Sequence, residues 1–387
     1  MDHTLDAPGH SPDSTSPLSS GLDTQPNALP VAPSSVPDPA VILSAETTPT
    51  ADALDGNVSP DASGDAAFTS RTDLSYLSRY ADAIRQELSK VIVGQQALAE
   101  LLLTAILADG HVLLEGVPGV AKTLTAKLLA RTLAVPFSRL QFTPDLMPSD
   151  VLGTSIFRPN KADFEFRPGP IFASIVLIDE INRAPAKTQS ALFEVMEERQ
   201  VTQDGTRYTV PDPFVVLATQ NPIEQEGTYR LPEAQLDRFL FKLNVGYPSV
   251  EEEISILQGH HAGFGGMPLD AVRAVLTADD LRGLREQVRR QHVEPKLLEY
   301  IARLVGQTRA HKGLYLGASP RASLALLNGA KALAALRGRD FVTPEDVQYL
   351  ASPVLRHRIQ LTPEREMEGS TADDIVKQIL QQIEVPR

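Results

Sequence analysis

Three short stretches hold residues whose types and spacing suit phosphate chemistry. The first is Gly116-Val117-Pro118-Gly119-Val120-Ala121-Lys122-Thr123, with Leu124 next. Between a buried strand and a helix, such a loop aims backbone N–H groups and a helix N-terminus at phosphate oxygens. Lys122 would reach the β and γ phosphates of ATP, and the Thr123 hydroxyl would ligate Mg²⁺. The spacing is that of a Walker A loop, with Ala121 where glycine usually precedes the lysine. Alanine fits there if its φ is negative. The second stretch, Ile175-Val176-Leu177-Ile178-Asp179-Glu180, delivers two adjacent carboxylates to the C-terminal end of a strand, where open α/β sheets bind ligands. Asp179 would hold Mg²⁺ through water and Glu180 would polarise the attacking water. The third, Phe214-Val215-Val216-Leu217-Ala218-Thr219, runs into Gln220-Asn221-Pro222. Asn221 is then either a turn residue before proline or, beside Asp179, an amide contacting both the γ phosphate and the lytic water.

The elements that must position these residues follow from periodicity. Leu74, Leu77, Ile84 and Leu88 recur at near-helical spacing, and a second helix runs from about Gln95 to Leu107. A strand at 111–115 leads through the glycine-bearing turn into a helix ending near Leu133. Strands near 136–142, 175–178, 214–218 and 239–244 alternate with a helix near 187–199. This pattern predicts a parallel sheet covered on both faces. Two hairpins interrupt it: Asp150–Arg158 with Asp163–Ile171, and Gln200–Gln203 with Thr206–Val210 around the two-residue turn Asp204-Gly205. From about 250 onward helices take over, at Asp279–Arg290, Pro295–His311, Arg321–Leu336, Pro344–Leu350 and Asp373–Ile383. The expected division is a tail at 1–70, an α/β core at 71–248 and a separate all-α domain at 249–387.

The 387 residues include no cysteine, which excludes disulfides and cysteine-ligated metals. No apolar run approaches the roughly 18–20 residues that cross a bilayer, and the acidic N-terminus lacks the features of a secretory signal. A cytoplasmic protein is expected. The formal charge of −13 is uneven. Residues 1–70 hold nine Asp and Glu46 without Lys or Arg, so the remaining chain sets 36 basic against 39 acidic side chains. With ten Pro and eleven Ser, that tail is expected to be disordered, and it is assigned no function. The core is too near neutral for charge to decide for or against nucleic acid. Arg282, Arg285, Arg289 and Arg290 are read as a solvated helix face rather than a nucleic-acid patch. His260 and His261 are left without a role.

Gly116–Thr123, Asp179-Glu180-Ile181-Asn182-Arg183-Ala184-Pro185, Ala218-Thr219-Gln220-Asn221-Pro222 and Leu231-Pro232-Glu233-Ala234-Gln235-Leu236-Asp237-Arg238-Phe239 together resemble the MoxR family of AAA+ ATPases. The resemblance covers about residues 75–385 and includes Ala121, which looks like the family's usual form of the loop. It implies an AAA+ P-loop NTPase core with five strands, a helical lid, a homo-oligomeric ring, usually a hexamer, and chaperone-like remodelling of protein partners that often contain a von Willebrand factor A domain. By the same resemblance Arg238 would be an arginine finger reaching the neighbouring subunit's ATP. Arg321, in Gly317-Ala318-Ser319-Pro320-Arg321, would be the sensor-2 arginine, and Gly94 an adenine-side contact. The hairpins resemble the family's helix-2 and pre-sensor-1 inserts. A DNA motor and an ATP-gated scaffold with little hydrolysis remain as alternatives.

Overall fold

The computed structural model describes residues 75–117, 119–221, 228–261 and 271–386. The tail at 1–70, Pro118 of the phosphate loop and Pro222 after Asn221 lie outside the described residues. Helices α1 (Ser75–Ser89) and α2 (Gln96–Leu107) precede β1 (His111–Gly116), α3 (Lys122–Thr132) and β2 (Phe137–Gln141). Next come α4 (Pro148–Leu152), β3 (Gly153–Arg158), β4 (Asp163–Pro168) and β5 (Ile175–Asp179). A 3-10 turn at Ile181–Arg183 leads to α5 (Ala186–Glu198), β6 (Gln200–Gln203), β7 (Thr206–Thr209), β8 (Val215–Gln220), α6 (Glu233–Leu236) and β9 (Phe239–Val245). The C-terminal part holds α7 (Val250–Gly259), α8 (Ala278–Arg289), α9 (Pro295–Ala310), β10 (Leu314–Leu316), α10 (Pro320–Leu336), α11 (Pro344–Leu355), β11 (Gln360–Leu361), α12 (Pro363–Met367) and α13 (Ala372–Gln382).

Five strands form one parallel sheet in the order β2-β5-β8-β1-β9. Its central strands are apolar at nearly every position because both faces are covered. Alternation then assigns each side chain to one of two cores. Val112, Leu114, Ile175, Leu177, Val215 and Leu217 join α1, α2, α3 and the C-terminal helices. Leu113, Val176, Ile178, Val216 and Ala218 pack with Leu192, Phe193 and Met196 of α5. The C-terminal helices share the first of these cores: a Cβ added to Gly329 of α10 would stand 3.3 Å from the Phe241 ring of β9.

Each hairpin is a separate two-stranded antiparallel sheet. Asp204 and Gly205 have φ of 51° and 76°, the left-handed pair that a tight hairpin turn needs. Phe166 of β4 stacks on Tyr208 of β7 at 4.1 Å, and Ser155 Oγ donates to Asp204 at 2.5 Å, so the two hairpins brace each other.

Several expected boundaries move. The first hairpin begins at Gly153 rather than Asp150, because Pro148 starts a helical turn and Asp150 accepts the Met147 N–H at 2.9 Å. Its second strand stops at Pro168 because the residues beyond it face α4 instead, Gly169 N–H donating to Leu152 O at 3.2 Å and Ile171 N–H to Val151 O at 3.3 Å. Helix α11 runs past Leu350 to Leu355, through Pro353, with Ala351, Val354 and Leu355 buried. Helices α7 and α12 were not anticipated. The lid is helical as expected, and the antiparallel pair β10–β11 is an addition to it. Arg285 departs from the expected solvated face. It is only 3% exposed and donates through Nε to Ile106 O at 2.8 Å, with Nη1 2.8 Å from Asp109. Arg282, Arg289 and Arg290 remain on the surface, paired with Asp279, Glu286 and Glu286 in turn.

Candidate nucleotide site

The phosphate loop leaves β1 at Gly116, where a Cβ would lie 2.3 Å from the Val245 carbonyl of β9. Only glycine fits so close to backbone. Gly119 has φ +87°, again a glycine conformation. Ala121 departs from expectation: its φ is +57°, left-handed, rather than negative. The chain must turn there to start α3 with Lys122, and alanine accepts the strain that glycine would avoid. Lys122 Nζ donates to Gly116 O at 2.6 Å, so the ammonium folds back across its own loop. Burial lowers its pKa, opposed by the negative charges of Asp179, Glu180 and Glu115.

Strand β5 is buried along its whole length and places Asp179, 8% exposed, at its C-terminal end. One carboxylate oxygen accepts from Arg139 Nε at 2.7 Å and the other from Thr219 Oγ1 at 3.3 Å. Glu180 is left-handed at φ 57°, and its N–H donates to Thr219 Oγ1 at 3.0 Å. Its carboxylate accepts from Gln141 Nε2 at 2.6 Å and pairs with Arg183 Nε at 3.0 Å. Asn221 follows β8, and β8 is hydrogen-bonded to β5, so the asparagine stands in the same cleft as the acidic pair.

That cleft, about 430 Å³, gathers Gly119 to Leu124 on one side and Asp179, Glu180, Thr219 and Asn221 on the other, with Arg139 and Gln141 from β2 closing the end. Gly116 and Val117 lead into it. The arrangement suits a phosphate chain. Backbone N–H groups open α3 on one wall, and a hydroxyl (Thr123) and a carboxylate (Asp179) line the same cleft, the kind of oxygen ligands Mg²⁺ prefers beside phosphate and water.

Sequence reasoning missed Arg139, Gln141 and Thr219. Arg139 and Gln141 are polar residues two apart on the strand paired with β5, and Gln141 stands in register with Asp179, a neighbour that only the sheet order reveals. Gly94 lies off the cleft wall. Its φ is +71° and a Cβ there would collide with Glu252 at 2.0 Å, while the neighbouring Gln95 donates to Val120 O at 3.1 Å and ties this segment to the phosphate loop. Arg238 and Arg321 are not in the cleft of their own chain. Both converge on Glu197 of α5, Arg238 Nη1 at 3.3 Å and Arg321 Nη2 at 2.9 Å.

Sheet order, glycine-shaped loop, acidic strand end and helical lid together define the AAA+ class of P-loop proteins. Comparison with known proteins agrees. The model of the ATPase family associated with various cellular activities matches residues 111–241, and that of the AAA lid domain matches residues 306–379. The chain is 47% identical to Chaperone MoxR1 of Mycobacterium tuberculosis over 78% of its own length and 81% of the relative's. It is 49% identical to the uncharacterised protein YeaC of Bacillus subtilis, over 78% and 93% of the two chains. The crystal structure of a candidate ATPase from Cytophaga hutchinsonii superposes with a TM-score of 0.75 at 41% identity, covering 81% of this chain and 97% of that one. The chain belongs to the MoxR family of AAA+ ATPases.

Proposed function

We propose that this protein hydrolyses ATP between the copies of a homo-oligomeric ring, probed most directly through Arg238, and uses the cycle to remodel protein partners in a chaperone-like manner. The observation that carries this reading is an incomplete site. Lys122, Asp179 and Glu180 share one cleft, while Arg238 and Arg321, the cations suited to charge on a transferred phosphoryl group, are held together elsewhere on the same chain. A second copy would supply them.

In this reading the loop from Gly116 to Leu124 grips the triphosphate. Thr123 and Asp179 are the residues that would hold Mg²⁺, which when bound neutralises phosphate charge. Lys122 leaves the Gly116 carbonyl for the β and γ phosphates. Glu180 polarises the lytic water, Asn221 positions it, and Gly94 borders the adenine side. The division into tail, ATPase core at 71–248 and lid at 249–387 belongs to the same proposal, as do a hexamer, a cytoplasmic setting and partners with von Willebrand factor A domains, which rest on family resemblance. No helix among the described residues is long and apolar enough to cross a membrane. Burial of Arg285 and the acidic partners of its three neighbours support a protein substrate over nucleic acid.

Two measurements test this. Titration calorimetry with ATP should give magnesium-dependent heat that Lys122→Ala abolishes. Mixing Arg238→Ala with Glu180→Gln protein should restore part of the turnover each lacks alone, because an intact Glu180 then meets an intact Arg238 across an interface. Mixtures as inactive as their parts would overturn the shared site.

A further inference from the structure

Arg238 and Arg321 are held together by more than one contact. Arg238 Nη1 donates to the Phe193 carbonyl at 2.8 Å, four residues before Glu197 on α5, so its guanidinium lies along the end of that helix. Arg321 opens α10, where its N–H donates to Ser319 Oγ at 3.2 Å. Ser319 Oγ in turn donates to Asp237 at 2.8 Å, and Asp237 accepts Arg358 Nε at 2.7 Å. Asp237 therefore joins the segment carrying Arg238 to the segment carrying Arg321. Two guanidiniums brought so close repel each other, and the charge set between them is Glu197, with one carboxylate oxygen toward each arginine.

We propose that Glu197 is a built-in counter-ion for this arginine pair, a positioning residue that holds both guanidiniums in the free protomer and gives them up to the triphosphate of a second copy. The proposal rests on the reading that Arg238 and Arg321 act on a neighbour's nucleotide. A triphosphate carries more negative charge than a carboxylate and offers oxygens that match the guanidinium fork, so the exchange favours the nucleotide. It is not free of cost. Assembly either breaks the two pairs or leaves the Glu197 charge beside the phosphates, and like charges across an interface oppose association. Glu197 is 41% exposed and can turn into solvent. Its charge thus raises the protein concentration at which copies meet productively, and keeps the arginines paired until nucleotide is present.

The test is ATP turnover per protomer against protein concentration for the native chain, Glu197→Gln, Glu198→Gln and Arg238→Ala. Glu198 lies exposed on the same turn and serves as the charge control. Glu197→Gln should reach half-maximal turnover at about three- to ten-fold lower protein concentration, with the native plateau, as expected for loss of two exposed pairs. Glu198→Gln should follow the native curve. A Glu197→Gln curve that superimposes on the native one, or that has a lower plateau at saturating protein, overturns the proposal. Arg238→Ala separates the two levels of inference. Full turnover in that variant defeats the shared site itself, whereas lost turnover beside an unshifted Glu197→Gln curve defeats only the role of Glu197. If Glu197→Gln does not unfold cooperatively on heating, Glu197→Ala is read by the same criteria.

Discussion

The Gln141 amide and the Arg183 guanidinium both meet the same carboxylate oxygen of Glu180, Oε2. In the proposed mechanism that leaves Oε1 for the lytic water. Replacing Glu180 by Gln keeps the shape and removes the proposed base. Turnover should fall by about 10²–10⁴-fold with ATP affinity preserved, checked by phosphate release alongside calorimetry. A variant that hydrolyses ATP at the native rate would remove Glu180 from the mechanism. At Ala121 the strained φ of +57° gives a second prediction. Glycine there relieves roughly 1–2 kcal/mol of left-handed strain and adds back about 0.5–1 kcal/mol of backbone entropy to the unfolded chain. Ala121→Gly should thus raise stability by up to about 1.5 kcal/mol and leave ATP affinity nearly unchanged, measured by thermal unfolding and titration. A loss of stability would show that the loop depends on the Ala121 methyl group.

At the scale of elements, Arg285 links parts of the chain that the sequence holds far apart. It rises from α8 to the end of α2 through Ile106 O and Asp109, and Asp212, just before β8, lies 3.4 Å away. Burial lowers its pKa, with Asp109 and Asp212 opposing. Arg285→Ala should cost about 2–3 kcal/mol through lost charge-assisted hydrogen bonds, less than a fully buried pair because Asp109 keeps Arg199 as a partner. A urea midpoint that falls with an unchanged slope would confirm this. No shift in the midpoint would reduce Arg285 to a spectator. The same residue marks where the sequence ceased to be legible. Arginines at 282, 285, 289 and 290 look alike as text, and only the packing of α8 against α2 decides which one is covered. Strands β1, β5 and β8 were legible because burial on both faces leaves an unbroken apolar run. The second hairpin was legible because Asp204-Gly205 permits few other conformations. Helix α4 was misread because Pro148 and Asp150, a short helical start, precede residues that alternate like a strand. Arg139, Gln141 and Thr219 were invisible as site residues because their importance comes from which strand lies beside β5, a property of sheet order rather than of local pattern.

For the molecule as a whole, two buried histidines tie stability to pH. His111 opens β1 with its ring edge toward Phe214; its Nδ1 accepts the Val216 N–H at 3.0 Å, so Nε2 carries the proton and donates to Met196 O at 3.2 Å. Burial, and then the Arg199 cation, push its pKa down to about 3. His357 donates to Phe239 O at 3.0 Å, and burial together with Arg358 pushes its pKa well below the usual value. Both are neutral in the fold. An unfolded chain protonates them as pH drops through about 6.5 while the folded chain does not. Protons therefore bind the unfolded state preferentially, and stability is complete above about pH 6.5 and declines as pH falls toward 3. His111 contributes a slope of about 1.4 kcal/mol per pH unit within that window, and His357 adds to it as pH falls below the ordinary histidine range. Between pH 6.5 and 5, above the ordinary range of carboxylates, the two histidines should dominate the slope. His111→Gln can keep both hydrogen bonds without the titration, so its urea midpoint should fall about half as steeply over that interval. A variant whose midpoint tracks the native profile in parallel would place the acid sensitivity elsewhere in the fold.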